Sequence, residues 1–244
     1  PGHSCREPAR KPARPAGNRT CGAGAITGPN QTRGGPGTRP LNYEEKMENE
    51  QPKQDRFLND IANHSMSIVR DDGVYRHLVF SNNGSSVFRF ELITWPGYLA
   101  YTGDMGAFVF SRLNDMFEFF RNGRGEINPS YWAEKVVAEN RHDGIEKFSI
   151  DEFRENVLGS TRSHLSLTDD EEIPEEIMEE IEPLLSAEDW IDAICSIRDF
   201  RSDKIDFNDW WEFNNNRYSY SFIWCCRALV WAIDTYDAFK KGQE

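Results

Sequence analysis

Four short segments with the composition of β-strands follow one another closely along the chain. They are joined by turns of two to five residues, at 81–85, 96–97 and 105–106. Turns this short allow only antiparallel pairing, because a parallel pair needs a crossover of roughly a dozen residues. The pattern therefore predicts a four-stranded antiparallel β-meander over residues 74–111, with strands at 74–80, 86–95, 98–104 and 107–111.

The turn residues and the alternation inside the second strand support this meander. Asn83-Gly84 is typical of a tight hairpin, and Pro96-Gly97 favours a type II turn in which the glycine has a positive φ. Side chains alternate between the two faces of a strand, so every second residue of 86–95 lies on the same face, and one of the two faces is almost wholly apolar. The residues of that face are Phe88, Phe90, Leu92 and Thr94.

The rest of the chain has the pattern of about six α-helices over residues 112–240. Several begin at a residue type that caps helix N-termini, such as Asn128 before a proline. Ser149 and Glu152 have the spacing of a capping box, and Gly159 is suited to follow the C-terminus of that helix. The helical periods predict helices at 112–121, 129–140, 150–158, 174–185, 187–200 and 218–240, and a short helix at 209–213 that Asn208 can cap.

This order of elements defines the predicted fold class, α+β, with an N-terminal four-stranded antiparallel β-meander followed by about six α-helices. We expect residues 47–244 to form one domain, made of the meander at 74–111 and the helical part at 112–240. A polar link at 160–170 is a weak candidate for a boundary inside it.

Residues 1–46 differ in composition from everything that follows. They contain no Phe, Trp, Val or Met and are rich in Gly, Pro and Arg, a composition that predicts disorder. Tyr43 to Met47 back-translates to a purine-rich GAGGA element shortly before a start codon, as in a bacterial ribosome-binding site. We therefore expect Met47 to be the native start, and residues 1–46 to be a non-native leader.

The chain is acidic, with 28 Lys and Arg against 41 Asp and Glu. Residues 47–244 hold 20 of the basic and 38 of the acidic residues, a formal charge of −18. Such acidity argues against direct binding to nucleic acid or to an anionic membrane. No run of eighteen apolar residues predicts a membrane helix, and the few cysteines, which form no CxxC motif, favour a cytoplasmic protein.

The acidic stretch 169–192 is the most unusual segment, with twelve Asp and Glu in 24 residues and no Lys or Arg. Apolar residues at helical spacing predict an amphipathic helix here. Its acidic face has two interpretations: a solvated surface, or a surface for a basic partner that includes mimicry of a phosphate backbone. The candidate partner-binding residues are Glu175, Glu176, Glu179 and Glu180.

Catalytic and metal-binding motifs are weak by comparison. No GxSxG, HExxH, Walker A or GxGxxG pattern occurs, and the histidines lack zinc spacing. Asp104 lies in a loop between two strands, where it either shapes the turn or forms an acid–base site with Tyr101 or His77. The sequence thus predicts no catalytic residue, no metal site and no cofactor, with an enzyme site near Asp104 as the alternative.

The last helix, 218–240, carries apolar residues around most of its circumference. Such a helix needs cover on more than one side. Its surface indicates either a central core helix or the interface of a homodimer. The apolar residues with the clearest helical spacing are Phe222, Cys225, Leu229, Ala232, Tyr236 and Phe239.

Residues 90–121 resemble a block that recurs in uncharacterised accessory proteins of temperate bacteriophages and prophages. The similar parts are ITWPG, the TGDMG turn, and FSR followed by DMFEFFR. The resemblance implies a phage-borne gene expressed in the bacterial host cytoplasm, and no activity is carried over. We therefore expect a non-enzymatic accessory protein that binds another protein through an acidic or apolar surface. The alternatives are an acidic DNA mimic that inhibits a host nucleic-acid-binding protein, and a hydrolase or nucleotide-processing enzyme.

Overall fold

A six-stranded antiparallel sheet, the main sheet, occupies the N-terminal part of the described chain. The computed structural model describes residues 52–121, 125–141 and 144–243, so the predicted leader at 1–46 and the predicted start at Met47 lie outside the described residues. The strands follow sequence order across the sheet. They are β1 (Ser65–Asp72), β2 (Tyr75–Ser81), β3 (Phe90–Trp95), β4 (Tyr98–Gly103), β5 (Gly106–Ser111) and β6 (Val136–Glu139).

The predicted meander is confirmed as β2 to β5, and its antiparallel pairing is confirmed in every register. Leu92 of β3, for example, lies opposite Leu78 on one side and Tyr101 on the other. The prediction of four strands was wrong for the sheet as a whole, because β1 and β6 extend it at both edges. The alternation of β1 is weak in the sequence, since only Met66 and Ile68 of this strand pack against the core.

β6 lies in a segment for which the sequence predicts a helix. The helix that Asn128 caps ends at Ala133, after which Val136–Glu139 pairs with β5. Val136 and Val137 are β-branched and favour a strand once an edge is there to receive them. Tertiary pairing thus overrides a weak helical period.

The turns have the conformations that their residues favour. Asn83 and Gly84 have φ of 48° and 81°, and Gly97 has φ of 86°. These positive values match a primed hairpin turn and the third position of a type II turn. Two-residue connections at 96–97 and 104–105 hold β3, β4 and β5 in one register. Residues 82–89 join β2 to β3, because β3 begins at Phe90 and not at residue 86 as predicted.

Seven α-helices occur in the described residues. Helices α1 (Gln54–Asp60), α2 (Met116–Phe120) and α3 (Pro129–Ala133) are short, and α4 (Ile150–Leu165), α5 (Glu175–Leu185), α6 (Trp190–Asp199) and α7 (Tyr220–Lys241) are longer. A 3₁₀ turn lies at Trp210–Glu212, and β7 (Glu146–Phe148) pairs with β8 (Asn216–Tyr218) in a separate two-stranded ribbon. The α+β fold class is confirmed at this level.

Other predicted helix limits were wrong as well, and two of them have a clear cause. The helix predicted from residue 112 begins at Met116, because Asp115 rather than Ser111 accepts the N-terminal N–H bond. The helix predicted to stop at Gly159 continues to Leu165, where Ser166 has φ of 55° and ends it. The predicted link at 160–170 is therefore helical over its first half.

The main sheet and α7 enclose the larger of two buried clusters, which we call the sheet core. Trp224 is fully buried in α7, and its ring packs against Phe57 and Phe90 at centroid distances of 5.1 and 5.9 Å. Its indole N–H donates to Asp60 at 3.0 Å. The core-helix interpretation of 218–240 is thus confirmed, and the apolar surface behind the homodimer prediction is largely covered within the chain.

The smaller buried cluster, the helical core, lies between α4, α5 and α6. Its centre is aliphatic, with Val157, Ile181 and Leu184 fully buried, and Ile205 and Phe207 close one side. None of the helices in the described ranges combines the length and the hydropathy needed to cross a membrane.

Candidate functional site

The predicted acidic stretch forms one exposed surface, which we call the acidic surface. It comprises the twelve Asp and Glu residues of 169–192, on α5, on the start of α6 and on the segments before each helix. All of them are exposed except Glu180, which is partly buried. They are Asp169, Asp170, Glu171, Glu172, Glu175, Glu176, Glu179, Glu180, Glu182, Glu188, Asp189 and Asp192.

Packing of α5 explains why its carboxylates face outward. Ile177, Ile181 and Leu184 are buried in the helical core, so the opposite side of the helix is presented to solvent. Glu175 and Glu176 lie in the first turn, where the positive end of the helix dipole favours acidic side chains. The sequence-predicted candidates are therefore brought together on one helix face.

Asp189 orients the second helix of the surface. Its carboxylate accepts the backbone N–H groups of Ile191 at 2.8 Å and Asp192 at 2.9 Å. Asp189 is thus the N-cap of α6, which leaves its remaining charge at the surface. Glu171 has a local structural role as well, because its carboxylate accepts the N–H and the hydroxyl of Thr168 at 2.7 and 2.9 Å.

Little positive charge compensates the acidic surface. Within the described part of the chain, the one ion pair to these twelve residues joins Glu176 to Lys204 at 2.8 Å. The hydrogen bond to Glu176 raises the pKa of the Lys204 ammonium group. Sequence reasoning missed Lys204 because it lies well outside the acidic stretch, on the segment that closes the helical core.

Two apolar side chains interrupt the acidic surface at the start of α6. Trp190 is 51% exposed and Ile191 is 64% exposed, although both belong to the large apolar types that folding usually buries. One side of the Trp190 ring packs on Phe148 at 5.4 Å, so the ring is held in position. Exposed aromatic residues that are fixed in this way are typical anchors of protein interfaces.

Asp104, the alternative site from sequence, is part of a turn. Its carboxylate accepts the backbone N–H of Phe88 at 2.8 Å, and its own N–H donates to the Arg89 carbonyl at 2.9 Å. Tyr101 points into the sheet core, where burial raises the pKa of its hydroxyl well above the usual range. His77 occupies the opposite face of the sheet. The structure therefore does not bring these three residues together.

The sheet face that points away from α7 carries a small charged cluster that the sequence did not indicate. His77 bonds Glu91 at 2.6 Å across the β2–β3 pair, and Arg89 also pairs with Glu91. The hydrogen bond from His77, with help from Arg89, lowers the pKa of the Glu91 carboxyl. The contact is diagonal across two strands, so only the register could reveal it.

A polar cleft of about 470 Å³ lies between the β7–β8 ribbon and the N-terminal halves of α4 and α7. Charged residues of both signs line it. Arg227, from α7, donates its Nε–H to the Pro52 carbonyl at 2.7 Å, and burial lowers the pKa of its guanidinium. The lining includes Glu146, Glu152, Asn214, Asn216, Arg217 and Arg227.

The described ranges contain no group of three or more His, Cys, Asp or Glu side chains arranged to hold a metal ion. Comparison with protein-family models, with curated proteins and with solved structures found no match for this chain.

Proposed function

We propose that this protein is a non-enzymatic accessory protein of bacteriophage or prophage type that binds a basic protein in the bacterial host cytoplasm. The observation that carries the proposal is the excess negative charge of the acidic surface: among the described residues, only Lys204 forms an ion pair with its twelve carboxylates. Like charges four residues apart on a helix, such as Glu175 and Glu179, repel each other and weaken it. A binding role explains why the chain retains them.

The physical consequence of such a surface is long-range attraction. An uncompensated patch steers a partner of opposite charge and raises the rate of association, while screening by salt reduces both effects. Trp190 and Ile191 add apolar area that a partner would bury. The partner that fits is a basic protein surface with an apolar recess beside its charges.

A narrower form of the proposal is mimicry of a nucleic acid. A groove that evolved to neutralise phosphates holds several Lys and Arg side chains in a row, and a row of helical carboxylates is attracted to the same charges. The presence of Glu175, Glu176, Glu179 and Glu180 on successive turns of one helix supports this form. In that case the protein would inhibit a host nucleic-acid-binding protein by competition.

The central experiment changes the four candidate residues to glutamine together. A partner captured by the parent protein from bacterial lysate is purified, and its Kd for parent and variant is measured over a series of salt concentrations. We expect weaker binding and a smaller salt dependence for the variant, because fewer charges are screened. Equal affinity for parent and variant at every salt concentration would contradict the proposal.

A matched control separates local charge from net charge. The control variant neutralises four exposed acids outside the acidic surface, at Glu134, Glu155, Glu212 and Asp234. It loses the same total charge as the test variant, so we expect it to bind like the parent. Circular dichroism verifies that both variants keep the helical content of the parent.

Two further measurements define the partner chemistry. Trp190→Ala should weaken binding by about tenfold or more if the ring is an interface anchor, whereas Trp211→Ala, at a tryptophan that is also exposed, should not. Displacement of the captured partner by duplex DNA would favour the nucleic-acid-mimic form. A partner that DNA does not displace would favour a basic surface of another kind.

A further inference from the structure

The face of the main sheet that points away from α7, which we call the open face, takes no part in either buried cluster of the described residues. Helices α1, α2, α3 and α7 pack into the sheet core on the other face, and α4, α5 and α6 form the helical core. The open face nevertheless carries apolar side chains that belong to neither cluster. They are Val79, Ile93, Trp95, Ala100 and Val109.

The strand registers place four apolar side chains in one row across the open face. Ile93 of β3 lies opposite Ala100 of β4, which in turn lies opposite Val109 of β5. Ala138 of β6 continues the row beside Val109. The solvent-facing side of an antiparallel sheet normally carries polar residues. The row therefore has the pattern of a sheet that is covered on both faces.

Aromatic residues extend the apolar surface at one end of the open face. Trp95 and Tyr98 lie opposite each other on β3 and β4, and their rings stack at a centroid distance of 5.3 Å. Tyr98 is 39% exposed, and Tyr75 on the neighbouring β2 is 42% exposed. A contiguous apolar patch marks an interaction surface, whereas single exposed apolar residues do not.

Charged side chains on the open face compensate one another. His77 and Arg89 both bond the Glu91 carboxylate, and Arg70 pairs with Asp72 at 3.1 Å. The open face therefore offers a partner no excess charge, in contrast to the acidic surface. A partner that fits is itself apolar and close to neutral where it touches, and a second copy of the same face meets this condition.

The open face is also complementary in shape to a second copy of itself. A two-fold axis that runs parallel to the strands, between β3 and β4, places β3 of one copy over β4 of the other and β2 over β5. Ile93 then faces Ala100 of the second copy, and Val79 faces Ala107, because each of these pairs lies at one height in the sheet. Large residues that face small ones interdigitate without voids.

The area of the open face is sufficient for a dimer. Strands of six residues span about 20 Å and six strands span about 24 Å, so one face measures roughly 500 Å² in projection. Two copies thus bury roughly 1,000 Å² before the relief of the side chains is counted, which reaches the lower limit of specific interfaces.

We propose that this protein forms a homodimer in which the open faces of two copies pack against each other. The two sheets form a sandwich with the apolar rows at its centre and α7 of each copy on the outside. This dimer uses the opposite side of the sheet from α7 and is independent of the acidic surface.

Salt should act on this dimer in a distinctive way. Residues 47–244 carry a formal charge of −18, so two copies repel each other at long range, and salt screens that repulsion. We expect the dimer to become stronger as the salt concentration rises. Binding of a basic partner to the acidic surface should become weaker under the same change, so the two proposals can fail separately.

The test is sedimentation equilibrium of the full chain over a range of protein and salt concentrations. We expect a monomer–dimer equilibrium whose Kd falls by about threefold or more between about 50 mM and 500 mM NaCl. NMR should show methyl signals of Val79, Ile93 and Val109 that shift with protein concentration, while the Ile191 methyl signals stay constant. A chain that remains monomeric up to about 300 μM at every salt concentration would overturn the proposal.

Variants then locate the interface. Ile93→Lys should raise the Kd of the dimer by about tenfold or more, because it places a charge at the apolar centre. Ile191→Lys makes the same change at an isoleucine of the acidic surface that is 64% exposed, and should leave the Kd unchanged. If Ile93→Lys disturbs the fold, as measured by circular dichroism, Val109→Lys tests the same row.

Two further outcomes would contradict the homodimer. The first is a folded Ile93→Lys or Val109→Lys variant that dimerises as the parent does, since the contact would then lie elsewhere. The second is a chain that stays monomeric while a basic protein captured through the acidic surface shifts the Ile93 and Val109 methyl signals. That result would assign the open face to the captured protein.

Discussion

The sheet core and the helical core differ in the residues that form them and in where those residues lie along the chain. The sheet core is dominated by aromatic rings that come from distant parts of the chain, between Phe57 and Tyr236. The helical core is mainly aliphatic and is built from one continuous stretch, between Phe153 and Phe207. From this difference we expect the sheet core to unfold as a whole and the helical core to open separately.

Charged residues also differ between the part of the chain around the sheet core, the sheet half, and the part around the helical core, the helical half. In the sheet half, the buried Arg76 donates two hydrogen bonds to Asp115, at 2.9 and 2.8 Å, and Arg121 forms two bonds with Asp237. Among the described residues, the acidic surface of the helical half forms a single ion pair, between Glu176 and Lys204. Charged side chains in the sheet half thus connect separate elements to each other. Most carboxylates of the acidic surface instead face solvent.

The largest effect should come from the centre of the sheet core. Trp224→Ala removes a fully buried ring and its bond to Asp60, so we expect the free energy of unfolding to fall by about 3–5 kcal/mol. Urea denaturation followed by circular dichroism measures it. Trp211→Ala, at a tryptophan that is 64% exposed, should change the same quantity by less than about 0.5 kcal/mol. Comparable losses for both variants would show that the sheet core is assigned wrongly.

A comparable substitution in the helical core should lower the free energy of unfolding by a smaller amount, and its effect should be confined to the helices of that core. Ile181→Ala empties a fully buried position, with an expected loss of about 2–4 kcal/mol, and Ile191→Ala is the exposed control. Hydrogen exchange should speed up in α4, α5 and α6 and change little in α7, because the two cores share few contacts. Uniform acceleration through α7 would mean that the two cores unfold as one unit.

Replacing a glycine by alanine should change stability in opposite directions in the two regions. In Gly103→Ala, the added Cβ would lie 2.7 Å from the Phe90 Cα and close to the Arg89 carbonyl, so stability should fall by about 1–3 kcal/mol. In Gly159→Ala, the Cβ meets nothing within 4 Å, and alanine favours the interior of α4, so stability should rise by about 0.5–1 kcal/mol. Thermal denaturation measures both changes, and equal signs would refute the comparison.

The smallest change in stability, which comes from Asp115, should appear only at acidic pH. Burial works to raise the pKa of the Asp115 carboxyl, but its hydrogen bonds to Arg76 and to the Phe117 N–H outweigh burial and lower the pKa below its usual 3.8. Because the folded-state pKa is the lower one, Asp115 stabilises the fold above the unfolded-state pKa. This contribution is lost as the pH falls through the folded-state value.

Denaturant titrations between pH 5 and pH 2 test this expectation. The stability of the parent protein should fall more steeply with acid than that of Asp115→Asn, which has no carboxyl to protonate at this position. The slope is compared rather than the absolute stability, since the variant leaves Arg76 without its partner and is less stable at every pH. Parallel slopes would show that Asp115 does not contribute to acid unfolding.

Sequence reasoning was most successful where local chemistry decides the structure. The turns at Asn83-Gly84 and Pro96-Gly97 and the alternation through Phe90 and Leu92 predicted β2 to β5 correctly. It failed at Val136–Glu139, where an edge strand replaces a helix. It also failed at Gly159, which the packing of α4 against α5 and α6 keeps inside a helix. In both failures a partner distant in sequence outweighs a weak local preference.

The candidate sites divide in the same way. The acidic surface was visible from sequence, because helical spacing places Glu175, Glu176, Glu179 and Glu180 on one face whatever surrounds them. The polar cleft was not visible, since Glu146, Glu152 and Arg227 come from three elements and share no spacing pattern. Lys204 was missed for the same reason.

The sequence by itself determined the meander, the amphipathic α5 with its acidic face, and the burial of α7, because each depends on periods of two or 3.6 residues that are local to one element. Only the tertiary structure decided the two edge strands, the half-formed capping box at Ser149 and the gathering of opposite charges in the cleft. Those features depend on which elements become neighbours. Neighbours are selected by the summed burial of many side chains, and no single segment of the chain encodes that sum.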